Sequence, residues 1–440
     1  MKAVIGRFVI LTHIVIVTLL VSLGVASAQE TAVSIPAQPC VEPGAITMRV
    51  WDAVWAAAIQ ESVDAWIAGY CPGAEVTLEV VPWDQYWDLL RTNAEEGDLP
   101  DIFNLSQDRF YFYVNNGVLL DLQPYLDAAE IDTSVWGTGM VEPYRWGDER
   151  DLYAAPVNWD TVVIYYNKDL FDAADIEYPT ANWTWDDFAQ AAEALTDPSG
   201  DVYGAAVYSE YQAGYPNFIA STGMTPIVGA ARTQCTLDEP ASLGALEFLH
   251  ALYEEGIMPS VSEIGGASAD DSFDFWLAGR VAMVSNGSWK LSAALEQAAF
   301  NWDVVQLPRS PQSGRTRSIV HSVGYVASAD TAQPELVANL IQYLVSDEGS
   351  AYFAQGAGVA PANPNQQQAW VESFGDTEVN IQAFVDAIDD SQGVTVFDEI
   401  WDTINTELVI NIFDLDMSVD EAVALACDQI EAELAAQRSS

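Results

Sequence analysis

The chain has 440 residues, half of them hydrophobic, with 65 acidic against 15 basic side chains and a formal net charge of −50. This length allows two or three domains with sizeable cores. So acidic a surface excludes partners that need basic patches (nucleic acid and anionic lipid), disfavours phosphate- or sulfate-like ligands, and leaves neutral sugars and cations open. The acidity is also compatible with a salty or acidic habitat.

Residues 1–28 read as a secretory signal: Lys2 and Arg7 form a positive start, Phe8 to Leu23 an apolar core, and Ala26-Ser27-Ala28 a cleavage site. No later run of 18 apolar residues is present to span a membrane. Residues 29–40, rich in Ala, Pro, Ser and Thr, read as a flexible lead-in. The context of Cys40 is not that of a lipid-anchored cysteine, so the expectation is a soluble exported protein. Four cysteines in an exported chain favour disulfides, and four allow three pairings. Cys40 and Cys71 each precede a predicted strand, at one edge of a parallel sheet, which favours Cys40–Cys71 and Cys235–Cys427. There is no C-x-x-C and only three histidines, so no zinc site, other metal or cofactor is expected.

The first third reads β-α-β-α-β: strands at 45–50 and 74–81, helices at 56–68 and 83–95, and a segment, 98–103, that leads into a third strand with a polar loop at 104–109. That pattern implies a parallel sheet with right-handed crossovers, and ligands bind beyond the carboxyl ends of such strands. Residues 104–109, which include Asp108 and Arg109, occupy one such end, and the turn containing Asp52 and Trp55 another. After a loop-rich zone to Arg150, residues 152–155 read as extended and 156–160 as a loop carrying Asn158, Trp159 and Asp160. The apolar run 161–166 reads as a buried strand, and Thr184 with Asp187 as a capping box opening a helix. Residues 210–216, with Tyr211, Gln212 and Tyr215, form an aromatic loop. A helix at 237–256 follows, then strands at 281–284, before the Asn286-Gly287-Ser288-Trp289 turn, and at 302–307. Residues 319–327 read as extended, 334–346 as a helix, and 367–389, 397–415 (with Trp401) and 419–436 as closing helices.

Several segments, in order, resemble the extracellular solute-binding proteins of ABC importers, in the sugar-binding group typified by maltose-binding protein. They are Gly97-Asp98-Leu99-Pro100-Asp101-Ile102 with Asn116-Gly117-Val118-Leu119; Tyr165-Tyr166-Asn167-Lys168 with Trp183-Thr184-Trp185; Phe275-Trp276-Leu277-Ala278-Gly279-Arg280 with Gly287-Ser288-Trp289; and Pro334-Glu335-Leu336. The resemblance implies an α/β, two-lobe periplasmic-binding-protein (type II) fold with a hinge and an interlobe ligand cleft. Lobe 1 is expected at 41–156 plus 322–362 and lobe 2 at 157–321 plus 363–440. The hinge crossings are expected at Pro156–Asn158, Arg317–His321 and Pro361–Asn365.

For this group the ligand is a neutral sugar, held by flat aromatic faces and by planar polar groups that bond its hydroxyls. The resemblance implies contacts from Asp108 and Arg109, from Asp160 with neighbouring Asn158 and Trp159, and from Trp289 by stacking. Either Tyr211 or Gln212 aligns with a stacking position, with Tyr215 competing, and Trp401 matches another. Asp52 and Trp55 sit where the group has an Asp-Lys pair, but no Lys follows Asp52. His321 reads as structural. The expected function is a non-enzymatic, monomeric receptor handing its ligand to ABC permease subunits. A polyamine or other cation receptor and a secreted glycoside hydrolase are the alternatives, and Arg109 opposes a cation.

Overall fold

The structure is a computed structural model. It describes residues 34–439 apart from 148, 210–211, 229–233, 389–390 and 394–397; for 84, 138, 398–399, 401–406 and 437–439 only the backbone is described. The signal-like segment lies outside these residues. No helix among the described residues is long and apolar enough to cross a membrane.

Strands β1 (Ala45–Val50), β2 (Glu75–Val80) and β3 (Ile102–Ser106) alternate with helices Ala53–Gly69 and Trp83–Glu96, and β1 pairs in parallel with both other strands. This is the architecture expected of the first third. The chain then runs through short helices and a small ribbon, Arg145–Trp146 with Asp151–Leu152, into β4 (Ala154–Asn167). Strands β5 (Tyr203–Ala206), β6 (Val281–Gly287), β7 (Trp302–Gln306), β8 (Ile319–Ala327), β9 (Ala360–Pro361) and β10 (Gln392–Gly393) follow. With β1–β4 they form one ten-stranded sheet whose seven-strand path runs β2-β1-β3-β8-β4-β6-β5, with β9 and β7 also on β4 and β10 on β8.

All fourteen residues of β4 are buried, as expected of a strand covered on both faces. Residues 154–161 of β4 pair with β8, whereas 162–167 pair with β6 and β7. One strand therefore serves two sections of the sheet, and the partners change between Thr161 and Val162. Its side chains alternate: Trp159, Val163 and Tyr165 enter one hydrophobic cluster, while Val162, Ile164 and Tyr166 enter a second. The expected loop at 156–160 is absent. Pro156 suggests a break, but the strand absorbs it through a bulge: Gly324 pairs with Pro156 and Val323 with Asn158, leaving Val157 over. Gly324 is needed at that crossing, because a Cβ there would lie 2.8 Å from the Ala154 Cβ.

Three further expectations change. The lead-in is docked from Ser34 onward: Ile35 is buried, and its carbonyl accepts from the Asp347 N–H at 3.0 Å. The single helix expected at 367–389 is two, Gln367–Ser373 and Gln382–Ile388, separated by a stretch in which Gly375 takes a φ of 65°. The two expected disulfides form, Cys40–Cys71 and Cys235–Cys427.

The capping box is formed as expected. The Asp187 N–H donates to Thr184 Oγ1 at 3.2 Å, and Asp187 Oδ2 accepts from the Thr184 N–H at 2.8 Å, starting helix Trp185–Leu195. Thr184→Ala is expected to lower the free energy of unfolding by about 1 kcal/mol, measured by urea denaturation. No change would mean that the Trp183 and Trp185 packing alone holds that helix.

Candidate functional site

The carboxyl ends of β1 and β2 carry an aromatic cluster. Trp51 lies 5.3 Å from Trp55, 5.3 Å from Trp83 and 5.4 Å from Trp87. Trp83 is 45% exposed, so the cluster reaches the surface. The Arg109 guanidinium stands 5.5 Å over the Trp87 ring, which ties the cluster to the end of β3. Asp52 and Trp55 lie here but have structural partners. Asp52 Oδ1 accepts from the Val54 and Trp55 N–H groups, at 2.7 and 2.9 Å, and so caps helix Ala53–Gly69. Trp55 is buried against Trp51 and Phe353, 5.3 and 5.8 Å away.

A second group forms where β3, β8 and β4 lie side by side. Ser106 pairs with Val323, and the Gln107 N–H donates to the Ser322 carbonyl at 3.1 Å, so the register leads Asp108 towards His321. On the other side His321 pairs directly with Asp160. Direct antiparallel partners share a face, so the imidazole emerges beside Asp160, and the charge of Asp108, just past the end of β3, also acts on it. Asp108 is buried, accepts from the Ser106 hydroxyl and lies 3.3 Å from Arg109 Nε. Asp160 is buried and accepts from the Ser288 hydroxyl.

Burial pushes the Asp160 carboxyl up to about 7, against the opposing effect of the Ser288 hydrogen bond. Burial pushes His321 down to about 4, partly offset by the nearby Asp108 charge and a hydrogen bond with the Gln212 backbone. His321 is thus neutral at pH 7, and Asp160 titrates near it.

Trp289 closes the group. It is half-buried, touches both hydrophobic clusters, and stands edge-on to His321 with ring centroids 6.4 Å apart. Its position depends on Gly287, where a Cβ would lie 1.8 Å from the Trp289 ring. Gln212 is half-buried, and its loop is held by Asn217: Asn217 Nδ2 donates to the Gln212 carbonyl at 2.9 Å, while its Oδ1 accepts from the Ile319 N–H at 2.9 Å. Asn158 is fully buried; its Oδ1 accepts from the Val323 N–H at 3.1 Å, and its Nδ2 is buried with no hydrogen-bond partner.

The structure therefore gathers Asp108, Arg109, Asn158, Asp160, Gln212 and Trp289 around β8. It does not bring Trp159 with them. Neighbours on a strand point to opposite faces, so Trp159 turns away from Asp160 and packs, fully buried, 6.3 Å from Trp370. Tyr215 is fully buried in the second cluster, and burial raises its phenol pKa. Tyr211 and the Trp401 side chain lie outside the described residues. Sequence reasoning set His321 aside as structural and passed over Ser288 and Tyr111. Tyr111, after β3, lies 5.3 Å from Trp146, which packs on the first cluster, and itself packs on the second, so it bridges the two hydrophobic clusters. The adjacency of Ser288 to Trp289 was a usable signal; His321 offered none beyond the scarcity of histidine.

The family model described as bacterial extracellular solute-binding protein matches residues 53–351. The maltodextrin-binding protein MdxE of Bacillus subtilis is 23% identical over 296 residues, covering 66% of this chain and 67% of that protein. Among solved structures, the ABC substrate-binding protein Lmo0181 of Listeria monocytogenes, in complex with cycloalternan, superposes with a TM-score of 0.75 at 24% identity. It covers 90% of this chain and 100% of that one. The cyclic alpha-maltosyl-1,6-maltose binding protein of Arthrobacter globiformis gives a TM-score of 0.74 at 19% identity, covering 89% and 99%. With the family model matched across most of the two-lobe α/β unit, this chain belongs to the bacterial extracellular solute-binding proteins.

Proposed function

We propose that the chain is the exported, monomeric sugar receptor of an ABC importer, non-enzymatic, delivering a neutral sugar or oligosaccharide to permease subunits from the periplasm or cell surface. The observation that carries this reading is the group around His321: two buried carboxyl groups, a guanidinium, an unpaired amide donor and a Trp ring converge at the crossing strands. Carboxyl, amide and guanidinium groups match ring hydroxyls, and the Trp289 face matches the C–H surface of a pyranose. The sugar-binding names of the relatives support the same reading. The lobes are proposed at 41–156 plus 322–362 and 157–321 plus 363–440, with closure by hinge motion about β4, β8 and the segment after β9.

A thermal-shift panel tests the proposal. Neutral sugars are expected to raise the melting temperature; a shift with putrescine or spermidine and none with any sugar would refute it. Released reducing ends would make the protein a hydrolase instead. Trp289→Ala is expected to weaken sugar binding about 10- to 100-fold by calorimetry with the fold intact. Unchanged affinity would take Trp289 out of the site.

A further inference from the structure

Helix Pro240–Glu254 carries His250 and Glu254 one turn apart, on one face of the helix. Asp416 approaches from the turn after helix Asp398–Phe413. One ligand-type atom from each of the three lies within 4.8 Å of the others. The imidazole is held in place: it stacks on Tyr253 at 6.1 Å and meets Phe413 edge-on at 6.5 Å. Its Nε2 is buried and has no hydrogen-bond partner. The turn carrying Asp416 is fixed too, because the Ser262 N–H and hydroxyl donate to Asp414 Oδ1 at 3.1 and 2.6 Å.

The half-buried imidazole has one ring nitrogen within 4.8 Å of both carboxylates and a buried Nε2 without a hydrogen-bond partner, so the three side chains make a donor set able to take a cation. Atoms bound to one ion at roughly 2.0–2.2 Å stand about 3.4 Å apart in a tetrahedron, so this cluster needs only small side-chain shifts to close on an ion. One nitrogen and two carboxylates supply too few oxygens for calcium, which takes six to eight, and the imidazole nitrogen suits zinc-class metals. The cysteine spacing gave no zinc site in the sequence; this donor set is a different one, assembled by helix packing.

We propose that His250, Glu254 and Asp416 form a zinc-class metal site, remote from the sugar-binding group, that pins the C-terminal helices to helix Pro240–Glu254. The bound ion would take His250 through a ring nitrogen and neutralise two carboxylates that otherwise repel each other. The Cys235–Cys427 disulfide links the segment before the same helix to the last helix, so metal and disulfide hold the same part of the second lobe.

The test titrates zinc sulfate calorimetrically into the metal-free full protein, His250→Ala, and the double variant Glu254→Gln/Asp416→Asn, with far-UV circular dichroism checking that each is folded. The expected result is one saturable zinc site in the parent, weakened at least about tenfold in both variants, one of which alters only exposed carboxylates. Cobalt chloride is expected to give tetrahedral-strength visible absorption in the parent and not in His250→Ala. The proposal is overturned by zinc binding equal in all three proteins, by absence of a saturable site, by equal binding of magnesium and calcium, or by loss of zinc in His321→Asn instead.

Discussion

Replacing Asp160 by Asn is expected to stabilise the protein by about 4 kcal/mol above pH 7 and by almost nothing near pH 4. Asp160 is buried, and its carboxyl is raised to about 7 in the fold, against about 3.9 in an unfolded chain. A carboxyl raised by folding is protonated in the native state while the unfolded state has already ionised. Its stabilising share is therefore fully present below pH 4 and is lost as pH rises to 7, at about 1.4 kcal/mol per unit. His321 works the other way. Lowered to about 4 from about 6.5, it keeps its stabilising share above pH 6.5 and loses it as pH falls to 4. Between pH 4 and 6.5 the two slopes nearly cancel, so the pair adds little pH dependence to the parent protein. In Asp160→Asn only the histidine slope remains, and stability should rise across that interval. Urea unfolding of both proteins at pH 4.5, 6 and 8 measures this. Parallel profiles would mean that Asp160 is solvated in the native state.

The second large effect concerns Cys235–Cys427, which joins positions 192 residues apart. In the chain-entropy picture a closed loop of this length restricts the unfolded state by about 5 kcal/mol, against about 4 for the 31-residue separation of Cys40–Cys71. Cys235→Ser/Cys427→Ser is expected to lower the unfolding free energy by about 3–5 kcal/mol in guanidinium titration. A loss under 1 kcal/mol would show that the closing helices are held by packing alone. That packing is extensive: Leu408, Val409, Ile412, Phe413, Val423 and Ile430 are buried in the second cluster.

What could be read from the sequence was local or repetitive. Alternating strands and helices gave the parallel sheet, Thr184 and Asp187 gave the cap, and the position of Cys40 and Cys71 before paired strands gave their bond. Asp52, just ahead of a helical run, carried an N-cap signal that its expected ligand role obscured. The central group was less legible because it depends on register between distant strands. Asp108, Asp160 and His321 meet only because β3 and β4 flank β8 at matching heights, and no short window reports that alignment. Pro156 misled for a related reason: a bulge opposite Gly324 accommodates it, and that partner lies far along the chain. The misplacement of Trp159 followed. Once 156–160 is strand, alternation sends Trp159 and Asp160 to opposite faces.

The change of partners along β4 has a consequence for how the protein comes apart. Each half of the strand pairs with a different section of the sheet, and the two halves share one unbroken backbone. Melting either lobe strips that strand of its neighbours on one side of Thr161 and leaves the remaining half as a frayed end. The lobes are thereby coupled into a single cooperative unit, although each has separate strands of its own. The amides of β4 are expected in the most slowly exchanging class, opening only when the whole fold does, which native-state hydrogen exchange measures. On the proposed hinge closure, such a receptor would bend at its waist without either half becoming free to unfold.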